Sequence, residues 1–129
     1  MHYTLEFADS ELRAVAREGT LVRLRLAAAC VRDEAGERGW LTGVTLEMSA
    51  AGLRGDAAQA FGRITEGGLQ HDQRLLRRID VPGALAAPGP DDVVTLALRL
   101  GNGTQFAVDG QRLQALLADD ARFTADLSC

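Results

Sequence analysis

The stretch Val93–Asp109, VVTLALRLGNGTQFAVD, decides how this chain folds. On its first arm Val94, Leu96, Leu98 and Leu100 alternate with Val93, Thr95, Ala97 and Arg99. A period of two marks a strand with one buried face. The turn Gly101-Asn102-Gly103 permits two registers. A two-residue Asn-Gly turn sets Leu98 opposite Ala107 and Leu96 opposite Asp109, so apolar side chains meet polar ones. A three-residue loop sets Leu98 opposite Phe106 and Leu96 opposite Val108. A slip of one residue moves every side chain to the other face, so burial selects the three-residue loop. The expected geometry is a type I turn followed by Gly103 in a left-handed bulge.

The same test applies upstream. Asp9–Gly19 can be read as a helix capped by Asp9, with Leu12, Val15 and Ala16 on one face. It can also be read as the first arm of a second hairpin. With Glu18-Gly19-Thr20 as a three-residue loop, Ala16 faces Val22, Ala14 faces Leu24 and Leu12 faces Leu26. A short lone helix is marginal without packing, which favours the hairpin. That register places Arg13, Arg17, Arg23 and Arg25 on the outer face, with Arg13 directly opposite Arg25. Like charges in that position repel, so an acidic partner lying across them is expected to relieve the repulsion. Arg74, Arg77 and Arg78 form a second, weaker cluster.

Working outward, Tyr3–Ala8, Leu21–Val31, Trp40–Ser49, Phe61–Thr65 and Leu75–Val81 alternate as strands. Leu21–Val31 pairs naturally with Trp40–Ser49, where Trp40, Val44, Leu46 and Met48 share the apolar face. Glu66-Gly67-Gly68 reads as a turn, Leu69–Arg74 as solvated chain, Ala50–Gln59 as loop, and Gly83–Asp92 as a surface connection. Gln111–Ala118 carries Leu113, Leu116 and Leu117 at helical spacing and is expected to be a short helix. Phe123–Cys129 is a candidate closing strand. The fold class that follows is mainly β. It is a single domain over residues 1–129, an antiparallel β-sandwich or small barrel of about seven to nine strands, with at most one or two short helices.

Composition bounds the function. The net charge of −4 argues against general nucleic-acid affinity, and six scattered aromatics offer no base-stacking platform. All 14 basic residues are arginine, with no lysine, which reads as the codon bias of a GC-rich, bacterial genome rather than as phosphate recognition. No apolar run is long enough for a membrane span, and no signal peptide is visible. Cys30 and Cys129 fit no metal or CxxC spacing and are expected as free thiols in a reducing cytoplasm. No cofactor or metal is called for. P-loop, dinucleotide, HExxH and GxSxG motifs are absent.

Three functions compete on these grounds. The leading one is a non-catalytic module that binds an acidic protein partner through Arg13, Arg17, Arg23 and Arg25, or self-associates as a homodimer. An alternative is a β-barrel holding a small apolar ligand among Trp40, Met48, Leu98 and Phe106. The third is a small enzyme using His71, the only histidine beside a carboxylate, Asp72. Neighbours on a strand point to opposite faces, so adjacency alone makes no catalytic pair.

Overall fold

A computed structural model describes residues 1–127 and 129. Among them lie thirteen strands, one short 3-10 turn at Ala57–Gln59 and no α-helix. The strands are β1 (Tyr3–Glu18), β2 (Leu21–Arg32), β3 (Arg38–Leu41), β4 (Val44–Ser49), β5 (Gly52–Gly55), β6 (Gly62–His71) and β7 (Arg74–Leu76). They continue as β8 (Arg78–Val81), β9 (Gly83–Ala86), β10 (Val94–Leu100), β11 (Gln105–Gly110), β12 (Arg112–Leu117) and β13 (Phe123–Ala125). Every pairing is antiparallel. The expected class holds, with more strands than the seven to nine foreseen.

Two sheets share one apolar core. In the first, the order β9–β12–β4–β2–β1–β8 comes back on itself, because only Pro82 separates β8 from β9. The bent segment Arg78–Ala86 thus serves both ends of a small barrel: β8 pairs with β1 and β9 with β12. The second sheet runs β7–β6–β10–β11–β5. β1 joins the two, pairing with β2 and β8 and then reaching β6 at Glu11 and Leu12. Leu5, Leu24, Leu46 and Leu113 of the barrel and Leu69, Leu96, Leu98 and Val108 of the open sheet belong to the same buried cluster. Gly110 stands where the chain leaves β11 for β12; a Cβ there would come within 2.7 Å of the Met48 sulfur. No helix is long and apolar enough to cross a membrane.

The β10–β11 hairpin has the expected register, Leu98 opposite Phe106 and Leu96 opposite Val108. The Leu100 amide donates to the Thr104 carbonyl at 2.9 Å, and Gly103 is left-handed at φ 87°. The β1–β2 hairpin exists, but its tip is a two-residue Gly19-Thr20 turn, with Glu18 opposite Leu21. Gly19 is left-handed at φ 58°, as the first central residue of a type II′ turn requires. Val15 therefore faces Leu24 and Ala16 faces Arg23. The ladder skips Arg13 as a bulge, and only below that bulge is the expected Leu12–Leu26 pair reached.

Other expectations are corrected by packing. Gln111–Ala118 is not a helix: β12 is hydrogen-bonded on both sides, by β4 and β9, with Leu113 and Ala115 buried on alternate positions. Two flanking strands satisfy its backbone and outweigh the helical spacing of three leucines. Glu66-Gly67-Gly68 lies inside β6 rather than in a turn. These glycines are bare for packing: a Cβ on Gly67 would meet the Phe7 Cβ at 2.6 Å and Leu98 at 2.8 Å. The actual turn is Asp72-Gln73, both left-handed at φ 49° and 64°. Leu75–Val81 is split at Arg77 into β7 and β8, and the first part of the Gly83–Asp92 connection is β9. Within Ala50–Gln59, β5 pairs with β11.

Cys30 and Cys129 are joined in a disulfide, not free, closing a sequence separation of 99. Cys30 lies between the core-facing Ala29 and Val31 and so points to the opposite face of β2. There the C-terminal residue covers it. The Arg38 guanidinium donates to the Cys129 carbonyl, holding the same end of the chain.

Candidate functional surfaces

The four arginines expected on one face are not brought together. Arg23 and Arg25 share the outer face of β2, opposite Glu47 and Thr45 of β4. Arg17 lies opposite Val22, on the other face of the hairpin, and its Nε donates to the Gly19 carbonyl at 3.1 Å. Arg13 is the bulged residue and has no register partner. The one-residue slip at the tip is the cause: it separates side chains that a three-residue loop would have aligned. Arg23 is neutralised by Glu47 at 2.7 Å, with Glu18 at 3.9 Å. The Glu47 hydrogen bond and charge raise the Arg23 pKa above its ordinary value; desolvation opposes this and the Glu18 charge adds to it. The repulsion that called for an acidic partner is therefore absent here. Arg25 borders a shallow cleft of about 300 Å³ with Thr45, Leu116 and Leu117.

The expected ligand pocket also disperses. Met48 is buried in the packed core, and Leu98 and Phe106, though also buried, border a cleft on the open sheet. Trp40 is half-exposed, opposite Cys30 and Thr124 on the outer face. The Thr42-Gly43 step, with Gly43 at φ 84°, resets the alternation between β3 and β4, so Leu41 rather than Trp40 joins Val44 in the core. His71 closes no catalytic pair; its Nε2 lies 2.8 Å from the Ala86 carbonyl oxygen and ties the end of β6 to the end of β9.

Two other clefts are larger, and the first takes in Leu98 and Phe106 without Trp40 or Met48. The first, about 500 Å³, lies on the outer face of the open sheet. One rung across that face reads Arg54–Ala107–Ala97–Gly68. Small residues make a shallow floor. Leu75 of the edge strand β7 lies over Gly68, where a Cβ would be 2.7 Å from its Cδ1, yet Leu75 stays 55% exposed. Three arginines stand around this floor. Arg54 makes a two-pronged bond to Asp109, at 2.7 and 2.9 Å. Arg99 lies 3.4 Å from Glu66. Arg77 has no acidic partner among the described residues. The Arg54 hydrogen bonds hold the Asp109 carboxyl below the usual carboxylate range; partial burial opposes this, and the Thr95 hydroxyl, donating at 2.6 Å, reinforces it.

The second cleft, about 470 Å³, sits at the barrel corner around Pro82. It is lined by the buried Ile79, Leu113 and Ala115 and by the exposed His2, Arg78 and Asp80.

Ser10 is a residue that strand patterning misses. It is fully buried where β1 loops away from β2 between Glu6 and Glu11. Its hydroxyl donates to the Glu6 carbonyl at 2.7 Å and accepts from the Cys30 amide at 2.9 Å. It thus satisfies backbone groups that the interrupted ladder leaves unpaired. Among the described residues no group of histidine, cysteine and acidic side chains is placed to hold a metal ion. No protein family, curated protein or solved structure matches this chain.

Proposed function

We propose that the chain is a non-catalytic protein-interaction module, and that its binding surface is the outer face of the open sheet rather than the β1–β2 hairpin. The observation that carries this reading is the pairing of Leu75, apolar and 55% exposed, with Arg77, a cation without an acidic partner, on one concavity. What sets Leu75 apart from a lone exposed leucine is its place over a concavity with an uncompensated charge at the rim, since binding sites are concave and mostly apolar with a few polar groups. The floor of Gly67, Gly68, Ala97 and Ala107 lets a partner side chain approach the backbone closely. The arginines at the rim favour an acidic partner, which would be steered in at low salt. A homodimer through this face would set the same arginine-rimmed surface on both sides of the interface, which electrostatic complementarity disfavours. The Cys30–Cys129 bridge supports a working place in an oxidising compartment rather than the reducing cytoplasm.

The test is peptide selection by display against the wild-type protein at low salt. Enriched sequences should carry an apolar residue flanked by Asp or Glu. Leu75→Asp and Arg77→Glu should each weaken the best peptide at least tenfold while leaving the thermal unfolding midpoint unchanged. Enrichment of basic sequences, or binding indifferent to both substitutions, overturns the assignment.

A further inference from the structure

The corner cleft is a separate site, lined by barrel residues apart from Leu76 at the end of β7. Its shape follows from how the barrel closes. The chain runs up β8 against β1, bends at Pro82, and continues as β9 against β12. The two pairs diverge from that bend and leave a wedge between them. At the inward rung nearest the bend, Ala115 faces Gly83; one rung on, Leu113 faces Leu85. Gly83 cannot carry a side chain, since a Cβ would lie 2.8 Å from the Asp80 carbonyl oxygen. With no side chain on Gly83 and only a methyl on Ala115, this rung puts little bulk against the cleft that Ile79, Leu85 and Leu113 border. The result is an apolar cleft within the size range of small-molecule sites.

The mouth is polar and carries charges of both signs, Arg78 and Asp80. Arg78 lies 3.7 Å from Glu6, and the His2 Nε2 lies 3.5 Å from the Asp80 carboxylate. An anionic head would meet the Asp80 carboxylate, and a cationic head would meet the Arg78 guanidinium. A hydroxyl needs one acceptor and one donor, and the mouth offers both: the Asp80 carboxylate accepts, while the His2 imidazole and the Thr4 hydroxyl can donate. We infer that the corner cleft binds a neutral, hydroxyl-headed aliphatic amphiphile, its chain against Ile79, Leu85 and Leu113 and its head between Asp80 and His2.

The experiment is a methyl NMR titration of the intact, oxidised protein with 1-decanol, sodium decanoate and decyltrimethylammonium. Decanol should give saturable shifts at Ile79, Leu85 and Leu113, with both charged amphiphiles at least tenfold weaker. Ala115→Leu fills the inward rung and should abolish the decanol shifts. Should that variant fail to fold, Leu85→Phe on the half-buried edge strand narrows the same cleft and should weaken decanol at least fivefold. Leu75→Asp should leave decanol binding unchanged, so this site and the protein-binding face fail or stand separately. The inference is overturned by shifts that do not saturate, by decanoate or the cation binding as well as decanol, or by a folded cleft-filling variant that keeps wild-type affinity.

Discussion

In β10–β11 each inward residue from turn to base meets its partner without interruption: Leu98 with Phe106, Leu96 with Val108, Val94 with Gly110. In β1–β2 the ladder shifts three times, between Glu6 and Glu11, Glu11 and Leu12, and Leu12 and Ala14. The hairpins differ in what fixes their registers. β10 is pinned by the buried face it shares with β11 and β6. β2 is pinned from its other side by β4, through Val22–Met48 and Leu24–Leu46. β1 can therefore bulge without moving β2 out of the core. The irregularity is used: it lets β1 leave the barrel and pair with β6 at Glu11 and Leu12. A continuous ladder makes one sheet, whereas an interrupted one can join two.

The largest expected break in this comparison is covalent. The Cys30–Cys129 bridge fastens β2 beside the Ser10 interruption, and β10–β11 has no such staple. Opening a loop of that length should cost about 4–5 kcal/mol in the chain-entropy account. Urea unfolding with and without dithiothreitol measures it. A loss below about 1 kcal/mol would mean that backbone pairing and Ser10 hold that region unaided.

Core truncation comes next. Leu98→Ala removes a buried side chain facing Phe106 and should cost about 2–5 kcal/mol. Val15→Ala, at the half-buried tip of β1, should cost only about 1 kcal/mol. Equal losses at the two sites would contradict the claim that the β1–β2 tip contributes little to the core.

The turns follow. Gly103→Ala and Gly19→Ala both force a side chain into left-handed backbone, with open space around each site. Each should cost about 1 kcal/mol. Replacing either glycine with Asn should recover much of the loss, because Asn tolerates that conformation. A larger loss at Gly103 would show that its turn sets the register rather than following it.

Legibility in the sequence tracks the same contrast. The β10–β11 register could be read because its two apolar faces are complete and only one pairing buries both. The β1–β2 tip could not, because Ala14, Ala16 and Val15 are too similar in bulk to distinguish one register from its neighbour. The information that decides it, β4 lying against β2, is far away in sequence. The helical pattern of β12 misleads for a related reason: an outward Leu116 completes a spacing that only the flanking β4 and β9 overrule. Gly67 and Gly68 looked like a turn because glycine signals either a bend or a close approach, and the Phe7 side chain that demands the approach is remote. The binding surfaces were less legible than the fold. The four-arginine face depended on a register one residue off. The Leu75–Arg77 concavity depends on β7 folding back over Gly68, which no local pattern encodes. The corner cleft depends on one bent segment closing a ring.

The smallest effect concerns the polar side of β10–β11, where Thr95, Asp109 and Arg54 form one connected rung. Arg54 and Thr95 stabilise the ionised Asp109, so its folded pKa lies below the unfolded one, near 3.9. A depressed carboxyl pKa contributes stability that is present above the unfolded pKa and lost as pH falls through the folded one. Stability should therefore decline on acidification from about pH 4 downward, and Asp109→Asn should flatten that limb. Because Arg54 is largely exposed, the gain at neutral pH should stay below about 1 kcal/mol and shrink in high salt. Urea midpoints from pH 2 to 7, at low and high salt, would show it. An Asp109→Asn protein with an unchanged acid limb would mean that the rung orients side chains on this face without stabilising the hairpin. The register of β10–β11 would then rest on its buried side alone.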